Sequence, residues 1–319
     1  MLIEILFIIL GLFFTWLSAE LIIYASKKIA DHFHMSETFV GLTILSIGTS
    51  LPEIGTHIAA SLKILAGENV SGIAIATNIG SNTVQITAIL GLVGFFMLIK
   101  AKKVFIKRDY MVMLGAIILL FILSLNHYIS RLEGFVLITL YLIYIYYLGR
   151  REMFEINDKN HKKRKIITNH ILKQGLYLII GFIALLYTSS IVIDNGEKLA
   201  AEWNVSDSLI GIAFIGIGTA LPELTTALIA LKRKSSGMSL GVLVGSNITN
   251  PMFALGIGAL ISGYSVNNTI LWVDIPVWFF LSLLVLFMVY KDRILKKRDS
   301  IILLCLYFIY LAIRVFILK

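Results

Sequence analysis

Long apolar stretches separated by short polar breaks run the length of the chain. Ten of them read as membrane spans, at 2–26, 38–62, 69–99, 109–126, 132–149, 174–196, 207–231, 237–262, 270–290 and 300–318. A spanning helix needs roughly 20 apolar residues, so ten spans use most of the chain and leave no room for a separate soluble domain. The apolar start from Ile5 to Trp16 lacks a basic leader and a small-residue cleavage site, so it reads as the first span rather than a signal peptide. The expected fold class is all-α, a polytopic membrane protein.

Composition agrees with the pattern. Of 319 residues 58% are hydrophobic, and the mean hydropathy is +0.89. The net charge of +9 could suggest nucleic acid, but its placement argues otherwise. With the N-terminus outside, 23 of the 28 Lys and Arg fall in the connections that lie inside, among them Lys27, Arg108, Arg150, Lys165, Arg233 and Lys297. Cytoplasmic loops carry the Lys/Arg excess. The charge therefore sets topology: a multi-pass cell-membrane protein with both termini extracellular, whose partner is the lipid bilayer and not nucleic acid. The connection 150–173 is basic and polar and reads as a cytoplasmic linker. The single cysteine, Cys305, cannot form an internal disulfide or a structural zinc site.

The chain also repeats itself. Residues 28–53 align without gaps on 198–223, with ten identities that include Gly48-Thr49 on Gly218-Thr219 and Leu51-Pro52-Glu53 on Leu221-Pro222-Glu223. Further on, Gly80-Ser81-Asn82 matches Gly245-Ser246-Asn247 at an offset of 165, and Leu90-Gly91 matches Leu255-Gly256. Each copy belongs to a five-span unit, 1–149 and 174–319. An odd span number makes the second unit enter the membrane from the opposite side, giving ten transmembrane helices in two inverted five-helix repeats. In transporters built this way the ion site lies at the midplane where the repeats meet.

Glu53 and Glu223 sit deep in spans 2 and 7. A carboxylate at membrane depth costs ~2.5–3.5 kcal/mol on insertion scales and marks an ion or proton path by default. No Lys or Arg stands in the middle of any span to neutralise them, so a bound cation is the simpler counter-charge. Two of the four prolines, Pro52 and Pro222, immediately precede these glutamates. Proline lacks an N–H, which frees the carbonyls of Gly48 and Gly218 from their helix partners. Non-helical backbone at membrane depth is tolerated where it lines a cavity, and freed carbonyls beside a carboxylate make a hard-oxygen site suited to Ca2+ or Na+. Thr49 and Thr219 lie four residues before the glutamates, on the same helix face. Ser81 with Gln85, and Ser246 with Asn250, repeat the four-residue spacing in spans 3 and 8. Asn82 and Asn247 read as interhelical hydrogen-bonding residues. Glu20 and Asp194 either draw cations to an entrance or simply reach water. His57 is either a proton-coupled group or, the favoured reading, a hydrogen-bonded packing histidine. Tyr141, Tyr144, Tyr146 and Tyr147 suit an interfacial aromatic belt. No paired-His metal motif and no Ser-Lys or Ser-His arrangement appears at membrane depth, so an intramembrane enzyme is not indicated.

On these motifs the chain resembles the calcium/cation antiporter superfamily, most closely the prokaryotic sodium/calcium exchangers, over nearly its whole length. The resemblance implies that Glu53 and Glu223 bind Ca2+, joined by the backbone carbonyls of Thr49 and Thr219. It implies flanking Na+ sites at Ser81 with Ser46 and at Ser246 with Gly216, and places Gln85 and Asn250 at the remaining midplane positions. The best-known exchangers of this type have Asn and Asp at those two positions. Here the central site has only two carboxylates, which neutralise one Ca2+ but leave three Na+ with a net charge of +1. The expected function is a Ca2+/Na+ antiporter working by alternating access as a monomer, with no cofactor, and with spans 1 and 6 as the moving elements. An H+-coupled antiporter is the alternative, because proton-coupled relatives share the glutamates. A cation channel is the alternative from another class.

Overall fold

The computed structural model describes residues 2–68, 70–158, 168–202 and 220–316. The chain is mostly helical. Each stretch read as a span overlaps a helix, except that of 207–231 only the part from Leu221 onward lies among the described residues. Six helices are long and apolar enough to cross a membrane: Leu2–Phe33, Ser71–Phe96, Arg131–Ile156, Ile171–Val192, Ser236–Ser262 and Ile270–Tyr290. A seventh candidate is the pair Glu37–Thr49 and Leu51–Leu65, bent by 43°. The bend falls at Ser50, two residues before Pro52, where φ is −82° and ψ is 4°. Ala220 stands two residues before Pro222 with nearly the same backbone, φ −90° and ψ 3°, and begins the helix Leu221–Lys232. The two Leu-Pro-Glu copies thus begin a helix from nearly the same backbone conformation, with the proline in the first turn, where its missing N–H costs nothing.

The chain folds as two compact units that do not follow sequence order. The first holds 1–49 and 144–242. Its Leu2–Phe33 helix packs along Thr168–Glu202. Glycine allows this approach: a Cβ on Gly11 would lie 2.6 Å from Val192, and one on Gly181 would lie 2.7 Å from Ile22. Small residues at such crossings let backbones come close where lipid removes the usual hydrophobic drive. The outer faces stay apolar and exposed, as at Leu6, Phe13, Ile179 and Ile183.

The second unit holds 50–143 and 243–319. Ser71–Phe96 and Ser236–Ser262 are its innermost long helices, with 72% and 89% of their apolar windows buried. Both contain one wide π-helical turn, Gln85–Ile89 and Asn250–Ala254, which coincide at the 165-residue offset. Two further wide turns, Ile106–Tyr110 and Ile270–Asp274, precede Met111–Leu123 and Ile275–Tyr290. The sequence reading placed no strand, yet two antiparallel two-residue ladders form. Ile99–Lys100 pairs with Ile294–Leu295, and Tyr128–Ile129 pairs with Tyr264–Ser265. They close helix connections whose backbone donors would otherwise be left without partners. The strands that pair are exchanged equivalents, since 99 and 264 match at the same offset of 165.

Candidate functional site

The helix Leu51–Leu65 carries three polar residues on its buried face. Glu53, His57 and Ser61 follow one another at four-residue spacing and are buried, while Leu51, Leu62 and Leu65 are exposed. This inverted amphipathicity suits a helix with lipid on one side and a polar interior on the other. Glu53 lies in the first turn, beyond the break at Ser50. Its Oε1 accepts from Ser81 Oγ at 3.2 Å. Its Oε2 is buried and has no hydrogen-bond partner among the described residues.

Asn78, Ser81, Asn82 and Gln85 form a second buried stripe on Ser71–Phe96, and Ser246, Asn247 and Asn250 a third on Ser236–Ser262. Gln85 Nε2 donates to Ser81 Oγ at 3.3 Å. Asn247 Nδ2 donates to Gln85 Oε1 at 2.9 Å and to the Leu243 carbonyl at 2.9 Å, and its Oδ1 accepts from the Trp278 indole at 2.9 Å. Asn78 Nδ2 donates to the Asn250 carbonyl at 3.0 Å and lies 2.9 Å from His57 Nε2. Asn82 donates to Asn78 Oδ1 at 3.2 Å and accepts from Asn250 Nδ2 at 3.0 Å. Asn250 Oδ1 is buried without a hydrogen-bond partner.

His57 is held at both ring nitrogens, since Nδ1 lies 3.0 Å from the Tyr264 hydroxyl. That hydroxyl also reaches Ser61 Oγ and the His57 carbonyl, each at 3.0 Å. The favoured packing reading of His57 matches this geometry. Asn78, Tyr264 and Trp278 escaped the sequence reading. Asn78 carried a visible signal, standing four residues before Asn82. Tyr264 and Trp278 carried none, because an aromatic in an apolar chain looks like packing.

Two further buried acids separate structural charge from the rest. Asp109 takes a bidentate contact from Arg108, with Nε at 2.8 Å and Nη2 at 3.0 Å. Asp274 is reached by Arg314 Nε at 2.9 Å and by the Tyr310 hydroxyl at 3.1 Å. They match at the offset of 165, and both are neutralised by arginine. No Lys or Arg pairs with Glu53 among the described residues.

In the first unit, Glu223 is fully buried in the first turn of Leu221–Lys232. Ser46 and Thr49 are buried as well, and their hydroxyls bond back to the Leu42 and Leu45 carbonyls at 2.7 and 3.0 Å. Gly48 faces the Phe182 ring, which a Cβ there would strike, so only glycine fits. Gly216 and Thr219 lie outside the described residues. Glu20, open between a cation entrance and water, is instead gripped by Arg233, whose Nε donates at 2.8 Å, and by Lys232 Nζ at 3.1 Å. Asp194 is exposed. Two belt tyrosines are also corrected. Tyr141 is buried, bonds Thr249 at 3.1 Å and stacks on Phe253, and Tyr144 is buried, while Tyr146 and Tyr147 are exposed. Among the described residues no group of three or more His, Cys, Asp or Glu is placed to hold a metal.

This arrangement has known counterparts. A family model described as sodium/calcium exchanger protein matches residues 3–150 and 173–316. An uncharacterized membrane protein of Methanocaldococcus jannaschii is 33% identical over 309 residues, covering 96% of both chains. A sodium/calcium exchanger of Methanosarcina acetivorans is 25% identical over 98% of both. A solved structure of the sodium-calcium exchanger NCX_Mj, soaked with Na+ and Ca2+, superposes with a TM-score of 0.82 at 30% identity, covering 97% of this chain and 98% of that one. With the family model matched over both halves and a relative of this identity covering nearly the whole chain, the protein is a multi-pass membrane transporter that belongs to the sodium/calcium exchanger protein family.

Proposed function

We propose that the chain is a secondary active antiporter that exchanges Ca2+ for Na+ by alternating access, with Glu53 and Glu223 as the charged ligands of the transported ion. One observation carries this reading. Among the described residues Glu53 is buried, has an unpartnered carboxylate oxygen and pairs with no Lys or Arg, whereas Asp109 and Asp274 in the same unit are each held by an arginine. A buried carboxylate without a paired cation is strongly disfavoured, and a transported cation is the counter-charge that the family supplies.

Neutral oxygens complete the proposed set: Ser46, Thr49, Ser81, Gln85, Ser246 and Asn250, with Gly216 and Thr219 from the second copy. The ten-span count, the inverted repeats of 1–149 and 174–319 with the linker between them, and the outer placement of both termini belong to the same reading. The recurring wide turns and exchanged strand pairs support it. An ion shifts a conformational equilibrium only through different affinity for the two states. A buried carboxylate without its ion resists occlusion away from water, which enforces exchange over leak.

The test is radioactive Ca2+ uptake into proteoliposomes under an outward Na+ gradient, compared with a pH gradient. Uptake is expected with the first. Uptake driven by the pH gradient alone supports an H+-coupled antiporter instead. Uptake indifferent to both supports a channel and sinks the proposal. Glu53→Gln and Glu223→Gln are each expected to cut exchange by at least about thirtyfold, the scale of removing one partner of a buried charge interaction.

A further inference from the structure

His57 is joined through Asn78 to Asn250, and one atom in this row of bonds has no choice of role. All the groups concerned lie in the unit of 50–143 and 243–319. The Asn250 backbone carbonyl can only accept. It opens the wide turn Asn250–Ala254, takes the Leu255 N–H, and takes a second hydrogen from the Asn78 side chain at 3.0 Å. The Asn78 atom that meets it is therefore nitrogen. The same nitrogen lies 2.9 Å from His57 Nε2. An amide NH2 has two hydrogens, so the second goes to the ring, and Nε2 must carry none. A neutral imidazole then holds its hydrogen on Nδ1, which donates to the Tyr264 hydroxyl at 3.0 Å. That hydroxyl has lone pairs for it, because its own hydrogen can go to the His57 carbonyl or to Ser61. A protonated ring would set Nε2–H against the Asn78 NH2.

The orientation of Asn78 is passed on. Its Oδ1 accepts from Asn82 Nδ2 at 3.2 Å, and Asn82 Oδ1 accepts from Asn250 Nδ2 at 3.0 Å. The Asn250 Oδ1 is left over, fully buried and without a hydrogen-bond partner among the described residues. Turned the other way, Asn78 would set its oxygen against two acceptors, the Asn250 carbonyl and His57 Nε2. Without the ring nitrogen, only the carbonyl opposes that turn. The other repeat lacks this device as a set. Ala227 stands at the place of His57 at the offset of 170, and Leu243 and Ile99 stand at the places of Asn78 and Tyr264 at the offset of 165. None of these three side chains can donate or accept.

We propose that His57 is a positioning residue: as the neutral Nδ1–H tautomer it anchors the Asn78 amide, and through Asn78 and Asn82 it keeps the side-chain oxygen of Asn250, not its NH2, free to ligate the transported cation. This rests on the antiport reading above and deepens it, since it gives one neutral ligand of the proposed set a fixed polarity. An oxygen at that place offers lone pairs to a cation, whereas an NH2 group offers only the positive end of its N–H bonds. The role goes beyond packing. Shape alone would be met by any side chain of similar volume, while this one needs an acceptor facing Asn78.

The experiment measures Na+-driven Ca2+ uptake into proteoliposomes over a range of Ca2+ concentrations, for the native chain, His57→Leu, His57→Gln, Asn78→Leu and the double variant of His57→Leu with Asn78→Leu. A loss of folded protein lowers the maximal rate and leaves the half-saturating Ca2+ concentration alone, so the latter is the readout. His57→Leu removes the acceptor, and the half-saturating concentration is expected to rise on the order of fivefold, the scale of one hydrogen bond. Glutamine reaches as far as Nε2 and can turn its amide oxygen to Asn78, so His57→Gln is expected to stay within about twofold of the native value. Asn78→Leu is expected to match His57→Leu, and the double variant to be no weaker than either, because both changes break the same link. The proposal is overturned by a native half-saturating concentration in His57→Leu, by His57→Gln as weak as His57→Leu, or by additive effects in the double variant. Absence of Na+-driven uptake by the native chain overturns the antiport reading itself, and Ca2+-dependent thermal stabilisation of the solubilised proteins then makes the same comparison. If His57→Leu does not fold, His57→Met, which also lacks the acceptor but adapts to the space, takes its place.

Discussion

Trp278 and Asn247 are 31 residues apart in sequence, and the indole N–H of the first donates to the side-chain oxygen of the second at 2.9 Å. Both side chains are fully buried. In a protein interior an amide is free to flip until something with a fixed role meets it. Here the indole sets Asn247, Asn247 sets Gln85, and Gln85 sets the hydroxyl that bonds Glu53. Removing the donor while keeping the ring isolates this effect. Trp278→Phe leaves the Asn247 oxygen buried and unbonded, which costs about 1–3 kcal/mol. Thermal unfolding of the detergent-solubilised protein should show the loss. Trp278→Phe combined with Asn247→Leu should cost less than the two single changes added together, because both partners of the bond are then gone.

Tyr264 plays a comparable part at the other end of the buried face of Leu51–Leu65. Its hydroxyl touches His57 Nδ1, the His57 carbonyl and Ser61. Tyr264→Phe is expected to lower stability by about 1–3 kcal/mol, since buried polar groups lose their partner while the ring still packs. Thermal unfolding with and without saturating Ca2+ checks it, and the deficit should be present in both conditions.

The ion pair of Glu20 with Lys232 and Arg233 predicts a small effect. Glu20, midway along Leu2–Phe33, is matched by Lys232 and Arg233 at the end of Leu221–Lys232, and partly exposed pairs contribute roughly 0–1 kcal/mol. Glu20→Gln should shift the Ca2+ dependence of uptake by less than about twofold, which corresponds to well under 1 kcal/mol. A larger loss of apparent Ca2+ affinity would restore the entrance role for this carboxylate.

The proposed topology can be read with single cysteines in a Cys305→Ser background. A cysteine at Lys234 should react with a membrane-impermeant maleimide only after the cells are opened. One at Asn267 should react in intact cells. The reverse pattern would invert the orientation inferred from the basic residues.

The helical, membrane-spanning character of the chain was legible in the sequence for simple reasons. Spans must be apolar over a fixed length, cytoplasmic connections must be basic, and a Pro-Glu step inside an apolar run has no ordinary packing use. The break at Ser50 and the helix start at Ala220 follow from proline chemistry and needed no tertiary information. The short ladder between Tyr128–Ile129 and Tyr264–Ser265 was not legible. A two-residue strand has no periodicity to detect and exists only because distant connections meet. Glu20 could not be assigned for a similar reason: its partners, Lys232 and Arg233, are 212 and 213 residues away.

The sequence by itself determined which polar residue types interrupt the apolar stretches: two glutamates, their prolines, and the serines and amides spaced four apart. It also determined membership of the family, because those types recur twice in one chain. Only the tertiary structure decided what each group offers. Asp109 and Asp274 proved to be arginine-bound, Glu53 kept an oxygen without a partner, and Gln85 and Asn250 came to face opposite ways. Composition and spacing cannot carry that information. The polarity of an amide is set by whichever donor or acceptor meets it in three dimensions, and for Gln85 that chain of bonds ends at Trp278.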